Sequence, residues 1–361
     1  MRISLAIGIT IVAYLLLWPV AVSPVAWQAP ENAGYQGAFA VNNRLVDADI
    51  GHTTAVLGGE DIVIDSAGRL YVANHDGRIL TLADWSGAVE TFADTGGRPL
   101  GMEFDGHGQL IVADAYKGLL SIDSNGVVSV LTNTVNGEVI GYADDVDVAA
   151  DGRIYFSDAS SKFAAAAYGG SYAASLLDIM EHGGHGRLLR YDPATGATDV
   201  VLSGLEFANG VAMSADQQSV LVVETGLYRV LRVYVAGERE GVVEVVIDNL
   251  PGFPDNINRA ADSDYFWLGL VSPRAAALDA LAPHPWLRKM VQRLPSFMRP
   301  QATAYSHVVK IDGAGAVVEN LQDPSGAYAQ TTGVLETADY WYISSLAAAG
   351  IARLARPQRN D

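Results

Sequence analysis

The residues GRLYVAN (Gly68–Asn74) recur along the chain, as GQLIVAD (Gly108–Asp114) and as GRIYFSD (Gly152–Asp158). Each copy has a glycine turn, then residues that favour β-strands, then a small or acidic residue. Weaker copies are found at Gln218–Glu224, Ser263–Gly269 and Asp339–Ser345. From turn to turn the intervals are 40, 44, 66, 45 and 76 residues, and three of them are close to the length of a four-stranded propeller blade. Six copies therefore predict an all-β fold, a six-bladed β-propeller.

The region around the first copy predicts the strands of one blade. Strands A to D are expected at Ile62–Asp65, Leu70–Ala73, Arg78–Leu82 and Val89–Phe92. Ahead of this blade, Arg44–Ile50 is predicted to add an outer strand to the last blade. That pairing would close the ring and leave no exposed sheet edge.

The first thirty residues (1–30) form a segment distinct from the propeller at 31–361. Ile3–Val22 carries no charge and is almost entirely apolar, and about 20 such residues span a bilayer as a helix. The alternative is a cleaved signal peptide, but its small-x-small site at 21–23 is followed by a proline. We expect a single-pass transmembrane or signal-anchor helix, with the propeller outside the cytosol (periplasmic, extracellular or lumenal). Secretion after signal cleavage is the alternative.

Composition excludes several partner classes and chemistries. The formal net charge is −18 at pH 7 and the chain has no cysteine. Nucleic acid is excluded as a partner, since an acidic surface repels it. Without cysteine there are no disulfides, thiolate metal sites or thiol nucleophiles.

Two connections between strands B and C are long, at 162–186 and 272–306. In a propeller blade these connections lie at the channel mouth, where strand A also begins. Both insertions are therefore predicted to form a lid, since long loops on a rigid scaffold commonly carry function. The second contains PWLRKMVQRL (Pro285–Leu294), a basic amphipathic pattern that fits either a lid or a membrane contact.

Oxygen-bearing side chains recur at one offset from the turns. Eight residues before each turn, the copies have Glu60, Leu100, Asp144, Gly210, Asp255 and Thr331. Four of the six blades thus place a carboxylate or carboxamide at this offset or beside it. Such ligands from separate blades predict a Ca²⁺ site, and the lack of His or Cys at this offset disfavours zinc. The predicted metal ligands are Glu60, Asp144, Asn209, Asp255 and Asn256.

Two further considerations bear on this site. Each of these residues taken alone is also an ordinary turn residue. A purely structural role for Glu60 would require a buried counter-charge, and no basic residue is expected at its level of the channel.

Several long runs resemble strictosidine synthase-like proteins. They are RPLG (Arg98–Gly101), IVADAYKGLL (Ile111–Leu120), SDASSK (Ser157–Lys162), GRLLRYDP (Gly186–Pro193) and LPGFPDNI (Leu250–Ile257). The resemblance covers about Gly58 to Leu354 and is greatest to the branch of the adipocyte plasma membrane-associated proteins. The wider superfamily includes gluconolactonases, senescence-marker proteins and paraoxonases. It implies a six-bladed propeller and, in the hydrolases, a calcium ion at the channel mouth.

The resemblance also implies roles for individual positions. The ligating Glu, Asn and Pro-Asp aspartate of the family correspond to Glu60, Asn209 and Asp255. Asp144 stands where the family has Asn, which keeps an oxygen ligand and adds a charge. Plant strictosidine synthases depend on a glutamate before the last strand A, whereas residues 330–332 here are uncharged. Amine–aldehyde condensation is therefore the least expected activity.

We therefore expect a calcium-dependent hydrolase that acts on small-molecule esters or lactones, of the arylesterase or lactonase type. Asp255 or Asp145 would act as general base or nucleophile. His75, in the first B–C connection, would move a proton, although it also fits an exposed hairpin residue. No G-x-S-x-G run is present to support a serine hydrolase. The alternative is a membrane-tethered binding platform with a structural calcium and no catalysis.

Overall fold

Six four-stranded antiparallel sheets make up the computed structural model, which describes residues 2–260 and 263–357. The first strand is β1 (Asp49–Gly51), and blade one follows with β2 (Ile62–Ile64), β3 (Leu70–Ala73), β4 (Arg78–Leu82) and β5 (Val89–Asp94). Blade two has β6 (Pro99–Phe104), β7 (Leu110–Asp114), β8 (Gly118–Ile122) and β9 (Val128–Thr132), and a separate hairpin of β10 (Thr134–Val135) and β11 (Glu138–Val139) comes after it; blade three has β12 (Ala143–Val148), β13 (Ile154–Asp158), β14 (Gly186–Asp192) and β15 (Ala197–Leu205). Blade four has β16 (Ala208–Met213), β17 (Ser219–Glu224), β18 (Arg229–Tyr234) and β19 (Val243–Ile247); blade five has β20 (Gly252–Arg259), β21 (Tyr265–Pro273), β22 (Ser306–Asp312) and β23 (Val317–Asp323); and blade six has β24 (Thr331–Glu336), β25 (Tyr340–Ser345) and β26 (Ile351–Ala355). The prediction of an all-β, six-bladed propeller is confirmed.

The ring closes through its first strand. β1 pairs antiparallel with β26, and Asp49 lies opposite Arg353 while Gly51 lies opposite Ile351. An outer strand for the last blade was expected from Arg44–Ile50, and the observed strand begins later, at Asp49. The pairing supplies the fourth strand of blade six and covers the edge of β26.

The inner strands are buried on both faces because each lies between two neighbouring blades. All residues of β3 and β7 are buried. Tyr71 of blade one packs in one apolar cluster with Leu110 and Val112 of blade two. Apolar side chains on both faces of a strand are the pattern of a sheet covered on both sides, and burying each large one contributes about 1.5–3 kcal/mol.

Strand A carries a one-residue bulge in blades two to six, where two residues oppose one on strand B. The bulges lie at Pro99–Met102, Ala143–Val146, Ala208–Val211, Pro254–Ile257 and Thr331–Val334. A bulge changes the direction of the side chains beside it. Within the bulge of blade three, the carboxylate of Asp145 reaches across to blade four and accepts a hydrogen bond from Val211 N at 2.7 Å. The bulges thus shape strand A in five of the six blades, and the one in blade three allows it to be linked to blade four.

Four α-helices lie outside the propeller sheets in the described residues: α1 (Arg2–Leu17), α2 (Ser171–Glu181), α3 (Ala276–Leu281) and α4 (Pro285–Arg293). α2 belongs to the first long B–C connection, and α3 and α4 belong to the second. α4 begins with proline at its first turn, a favoured position because the missing N–H would have no helical partner. Within the described residues, no helix combines the length and the apolar character needed to cross a membrane.

The segment after α1 runs between the two insertions and bonds to both. Ser23 N donates to Glu181 Oε2 in α2 at 2.6 Å. Arg288 in α4 donates to Val25 O through Nη1 at 3.0 Å and through Nη2 at 3.1 Å. We call residues 22–31 the N-terminal strap. It links the two insertions to each other through its own backbone.

Candidate functional site

A cavity of about 120 Å³ lies between the channel mouth and the two insertions. Its walls are largely apolar and include Leu100, Tyr142, Tyr172, Leu176, Ile179, Phe207, Phe253, Val271, Leu278 and Leu346. Its lining also includes four polar side chains that the sequence singled out: Glu60, Asp144, Asn209 and Asp255. An apolar cavity with a few convergent polar groups is the usual form of a small-molecule site.

The four polar residues come from four different blades and are all buried. Their exposed fractions are 1% for Glu60, 4% for Asp144, 3% for Asn209 and 6% for Asp255. Asp144, Asn209 and Asp255 lie in the bulged parts of β12, β16 and β20. At the shared offset in blade four, a Cβ on Gly210 would lie 2.4 Å from Ile257 N. The oxygen ligand of that blade therefore comes from the preceding residue, Asn209.

Hydrogen bonds hold some of these oxygens and leave others free. Asn209 Nδ2 donates to Asp255 Oδ1, and Asn256 Nδ2 donates to Glu60 Oε1 at 3.0 Å. Within the described part of the chain, Glu60 Oε2, Asn209 Oδ1 and Asn256 Oδ1 are buried without a hydrogen-bond partner. A buried polar atom without a partner costs about 1–3 kcal/mol, and a cation would remove that cost for an oxygen that faced it.

The electrostatics of the cluster also favour a bound cation. Burial, and then the neighbouring Asp255, raise the pKa of Glu60 and of Asp144 well above the ordinary range. Burial raises the pKa of Asp255 to about 7, against the hydrogen bond from Asn209. Three carboxyls held together out of water favour protonation or a bound cation, because the ionised forms repel one another.

A buried guanidinium lies beside this cluster, so the expectation that no base shares its level is wrong. Arg98 is 1% exposed, and its Nη1 donates to Gly58 O at 3.4 Å. Its charge lowers the pKa of Glu60 and of Asp144, although the effect of burial is larger. Arg98 precedes by two residues the position counted in blade two, Leu100, and so a search at one fixed offset missed it.

Two of the three predicted catalytic residues lie outside the cavity. Asp145 is buried and lines a second cavity with Glu103 and Asp147. His75 is largely exposed and lines a groove beside the cavity; partial burial of its ring, and then the charge of Arg98, lower its pKa. The structure therefore brings Asp255 together with Glu60, Asp144 and Asn209, and places Asp145 and His75 elsewhere.

The donor set fits calcium better than a transition metal. Carboxylate and carboxamide oxygens are the ligands that Ca²⁺ takes. Across residues 2–260 and 263–357, no group of three or more His, Cys, Asp or Glu side chains is arranged to hold a metal ion. The fit therefore rests on the kind of oxygens present and on the two that lack partners, Glu60 Oε2 and Asn209 Oδ1. Asn256 is not part of the cavity lining and holds Glu60 instead.

Comparison with known proteins identifies the family. The model of strictosidine synthase matches residues 144–238, and the model of the strictosidine synthase-like N-terminal region matches residues 37–82. Adipocyte plasma membrane-associated protein of Rattus norvegicus is 31% identical over 98% of this chain and 98% of its own length. The chain belongs to the strictosidine synthase-like family. The resemblance seen in the sequence is confirmed.

Solved structures share the propeller fold. A gluconolactonase from Xanthomonas campestris superposes with a TM-score of 0.62 at 16% identity, covering 87% of this chain and 91% of its own. A calcium-binding protein, regucalcin from Agrobacterium tumefaciens, gives a TM-score of 0.58 at 16% identity, covering 87% and 93%. At this identity the likeness establishes the architecture alone.

Proposed function

We propose that this protein is a calcium-dependent hydrolase of esters or lactones, with its active site in the cavity at the channel mouth. The observation that carries the proposal is the buried set of Glu60, Asp144, Asn209 and Asp255, in which two oxygens receive no hydrogen bond from the residues that the structure describes. The presence of a gluconolactonase and a calcium-binding protein among the structures with this fold supports it.

The four residues would hold the ion, and Asn256 would fix the carboxylate of Glu60. Calcium bound there would supply a Lewis acid that polarises a carbonyl oxygen and stabilises the developing oxyanion. Asp255 is the general base or nucleophile of the proposal, because its carboxylate lies in the cavity lining. Asn209 orients Asp255 by its hydrogen bond to Oδ1.

The walls of the cavity define the substrate class. The insertions at 162–186 and 272–306 contribute apolar side chains such as Leu176 and Leu278. In the proposal these insertions form a lid that excludes water from the reacting group. An ester or lactone with an aromatic or aliphatic group fits such walls, whereas a strongly charged substrate does not.

The test is turnover of phenyl acetate and a panel of small lactones by the full chain, with calcium and with chelator. We expect turnover that needs calcium and is lost in a folded Asp255→Asn variant. Asp178→Asn is the matched control, because Asp178 is 1% exposed, its pKa is also raised to about 7, and it lies outside the cavity lining.

Other outcomes would overturn the proposal in different ways. Calcium that raises the melting temperature without any turnover would refute the hydrolase and favour a binding platform with a structural ion. If calcium changed neither turnover nor melting temperature, the calcium site itself would be refuted. Equal loss of turnover in both variants would remove Asp255 from the chemistry.

We also propose that the N-terminal segment anchors the chain to a membrane in a single pass, with the propeller outside the cytosol. Support comes from the apolar run Ile3–Val22 and from the name of the rat relative, a plasma membrane-associated protein. Leu17 and Trp18 are exposed at the end of α1, and Phe297 is exposed in the second insertion. Carbonate extraction of membranes, followed by protease treatment of intact cells or vesicles, tests the proposal. Release by carbonate, or a soluble chain that lacks the segment, would contradict it.

A further inference from the structure

Arg98 is a buried arginine with very little hydrogen bonding. Its guanidinium reaches Gly58 O at 3.4 Å and Pro99 O at 3.5 Å, both at the long limit for a hydrogen bond. Nε and Nη2 have no partner among the described residues. A guanidinium carries five N–H donors, and burying one with so few partners is strongly unfavourable unless opposite charge lies close by.

Two other buried arginines have a carboxylate of their own. Arg187 bonds to Asp158 at 2.6 Å, and Arg274 bonds to Asp279 at 2.9 Å. Arg98 has no such pair in the part of the chain that the structure describes. The charges that favour its ionised form include those of Glu60 and Asp144, both in the cavity lining. A hydrogen bond holds the backbone of Arg98 in place, since its N donates to Asp114 Oδ1 at 3.0 Å.

We propose that Arg98 is a specificity-determining residue that adjusts the charge of the cavity to a divalent cation. Glu60, Asp144 and Asp255 ionised, together with Arg98, carry a net charge of −2, which Ca²⁺ neutralises. This inference rests on the proposed calcium site and assigns a role to a residue outside its ligand set. Without Arg98 the charge is −3, which favours a trivalent ion and leaves three carboxylates without a counter-charge when no ion is bound.

The experiment is a double-mutant cycle on the full chain with Arg98→Met, Asp144→Asn and the two combined. Calcium and terbium dissociation constants are measured by calorimetry, and melting temperatures are measured in chelator. We expect Arg98→Met to bind calcium about tenfold more tightly, since it removes a like charge from the site, and to gain still more affinity for terbium. The same variant should melt at a lower temperature in chelator.

Asp144→Asn should act in the opposite direction. It is expected to weaken calcium binding about tenfold and terbium binding more, because it lowers the negative charge of the site. The combined variant restores the net charge of −2 and should bind calcium within about threefold of the unmodified chain. Arg98→Lys, which keeps the charge, should also retain the original affinity. If Arg98→Met does not fold, the combined variant and Arg98→Lys still test the proposal.

Arg288→Met is the matched control, because Arg288 is also 1% exposed but bonds to Val25 O in the N-terminal strap. It should lower stability and leave the ratio of calcium to terbium affinity unchanged. Calcium binding that is unaffected or weakened in Arg98→Met, or a combined variant that behaves like Asp144→Asn, would overturn this inference alone. If the unmodified chain bound no calcium, the proposed calcium site and this inference would both fail.

Discussion

Replacing Asp145 by alanine should destabilise the propeller by breaking a link between blades three and four. Its Oδ2 accepts a hydrogen bond from Val211 N at 2.7 Å, and its Oδ1 accepts one from Val146 N at 2.8 Å. The side chain is 2% exposed, so water cannot easily replace it. Asp145→Ala would leave both backbone N–H groups buried without an acceptor.

The size of the effect follows from these two groups. Each buried donor that loses its acceptor costs about 1–3 kcal/mol, which gives about 2–6 kcal/mol for the pair. Part of this is offset, because the buried carboxyl is itself unfavourable. Burial raises its pKa well above the ordinary value, and the charge of Asp61 raises it further. We therefore expect a loss of about 2–4 kcal/mol in the free energy of unfolding.

Asp123→Ala provides the matched control. Asp123 also accepts two backbone hydrogen bonds, from Asn125 N and Val127 N at 2.9 Å each, but it does so at the surface. Water can replace it there, so a much smaller loss is expected. Urea unfolding in chelator, followed by tryptophan fluorescence, measures both variants. Equal losses would refute the buried link, and a stable Asp145→Ala variant without turnover would restore Asp145 as a catalytic residue.

Three further outcomes are expected. Gly210→Ala should lower the free energy of unfolding in urea by about 2 kcal/mol or more, since the new Cβ would lie 2.4 Å from Ile257 N. Gly106→Ala is the control and should change it little, because nothing lies within 4 Å of a Cβ there. Equal effects would contradict the close approach at Gly210. Asn256→Ala should weaken calcium binding about tenfold in calorimetry, because it frees Glu60 Oε1, and unchanged affinity would remove its positioning role. Burial, with the charge of Asp147, raises the pKa of Glu103 from 4.5 to about 8. Because the folded state then binds this proton more tightly than the unfolded state, stability should fall as pH rises from about 4.5 to about 8. Glu103→Gln should flatten that fall in urea midpoints measured at pH 5 and pH 8, and an unchanged slope would assign it to other groups.

The propeller was predictable because its signal is local and repeated. The turn and strand B of the first copy fall together within seven residues, and the observed β3 and β4 have the predicted bounds. The bulges in strand A were not predictable. An extra residue interrupts the alternation of the strand, so the sequence does not show which of Asp144 and Asp145 faces the cavity.

The site was predictable where one offset from the turn describes it. That offset, with its neighbour in blade four, found Glu60, Asp144, Asn209 and Asp255 in the cavity lining. It missed Arg98, which reaches the cluster from two residues further back in blade two. The offset also did not show where His75 lies. Its place in a B–C connection assigns it to the face at the channel mouth, but the sequence does not show whether it lines the cavity or the groove beside it. Side-chain reach and bulge geometry depend on packing between blades that are distant in sequence.

The N-terminal strap and β1 have a consequence for the order in which the chain folds. Ser23 and Glu181 are 158 residues apart, Val25 and Arg288 are 263 apart, and Asp49 and Arg353 are 304 apart. A contact across such a distance forms late, after the local hairpins, because closing so long a loop costs conformational entropy. Residues that leave the ribosome first are therefore among the last to find their partners. Until blade six is made, the first blade has no neighbour on one side, and the nascent chain carries an uncovered apolar sheet face that a chaperone can recognise.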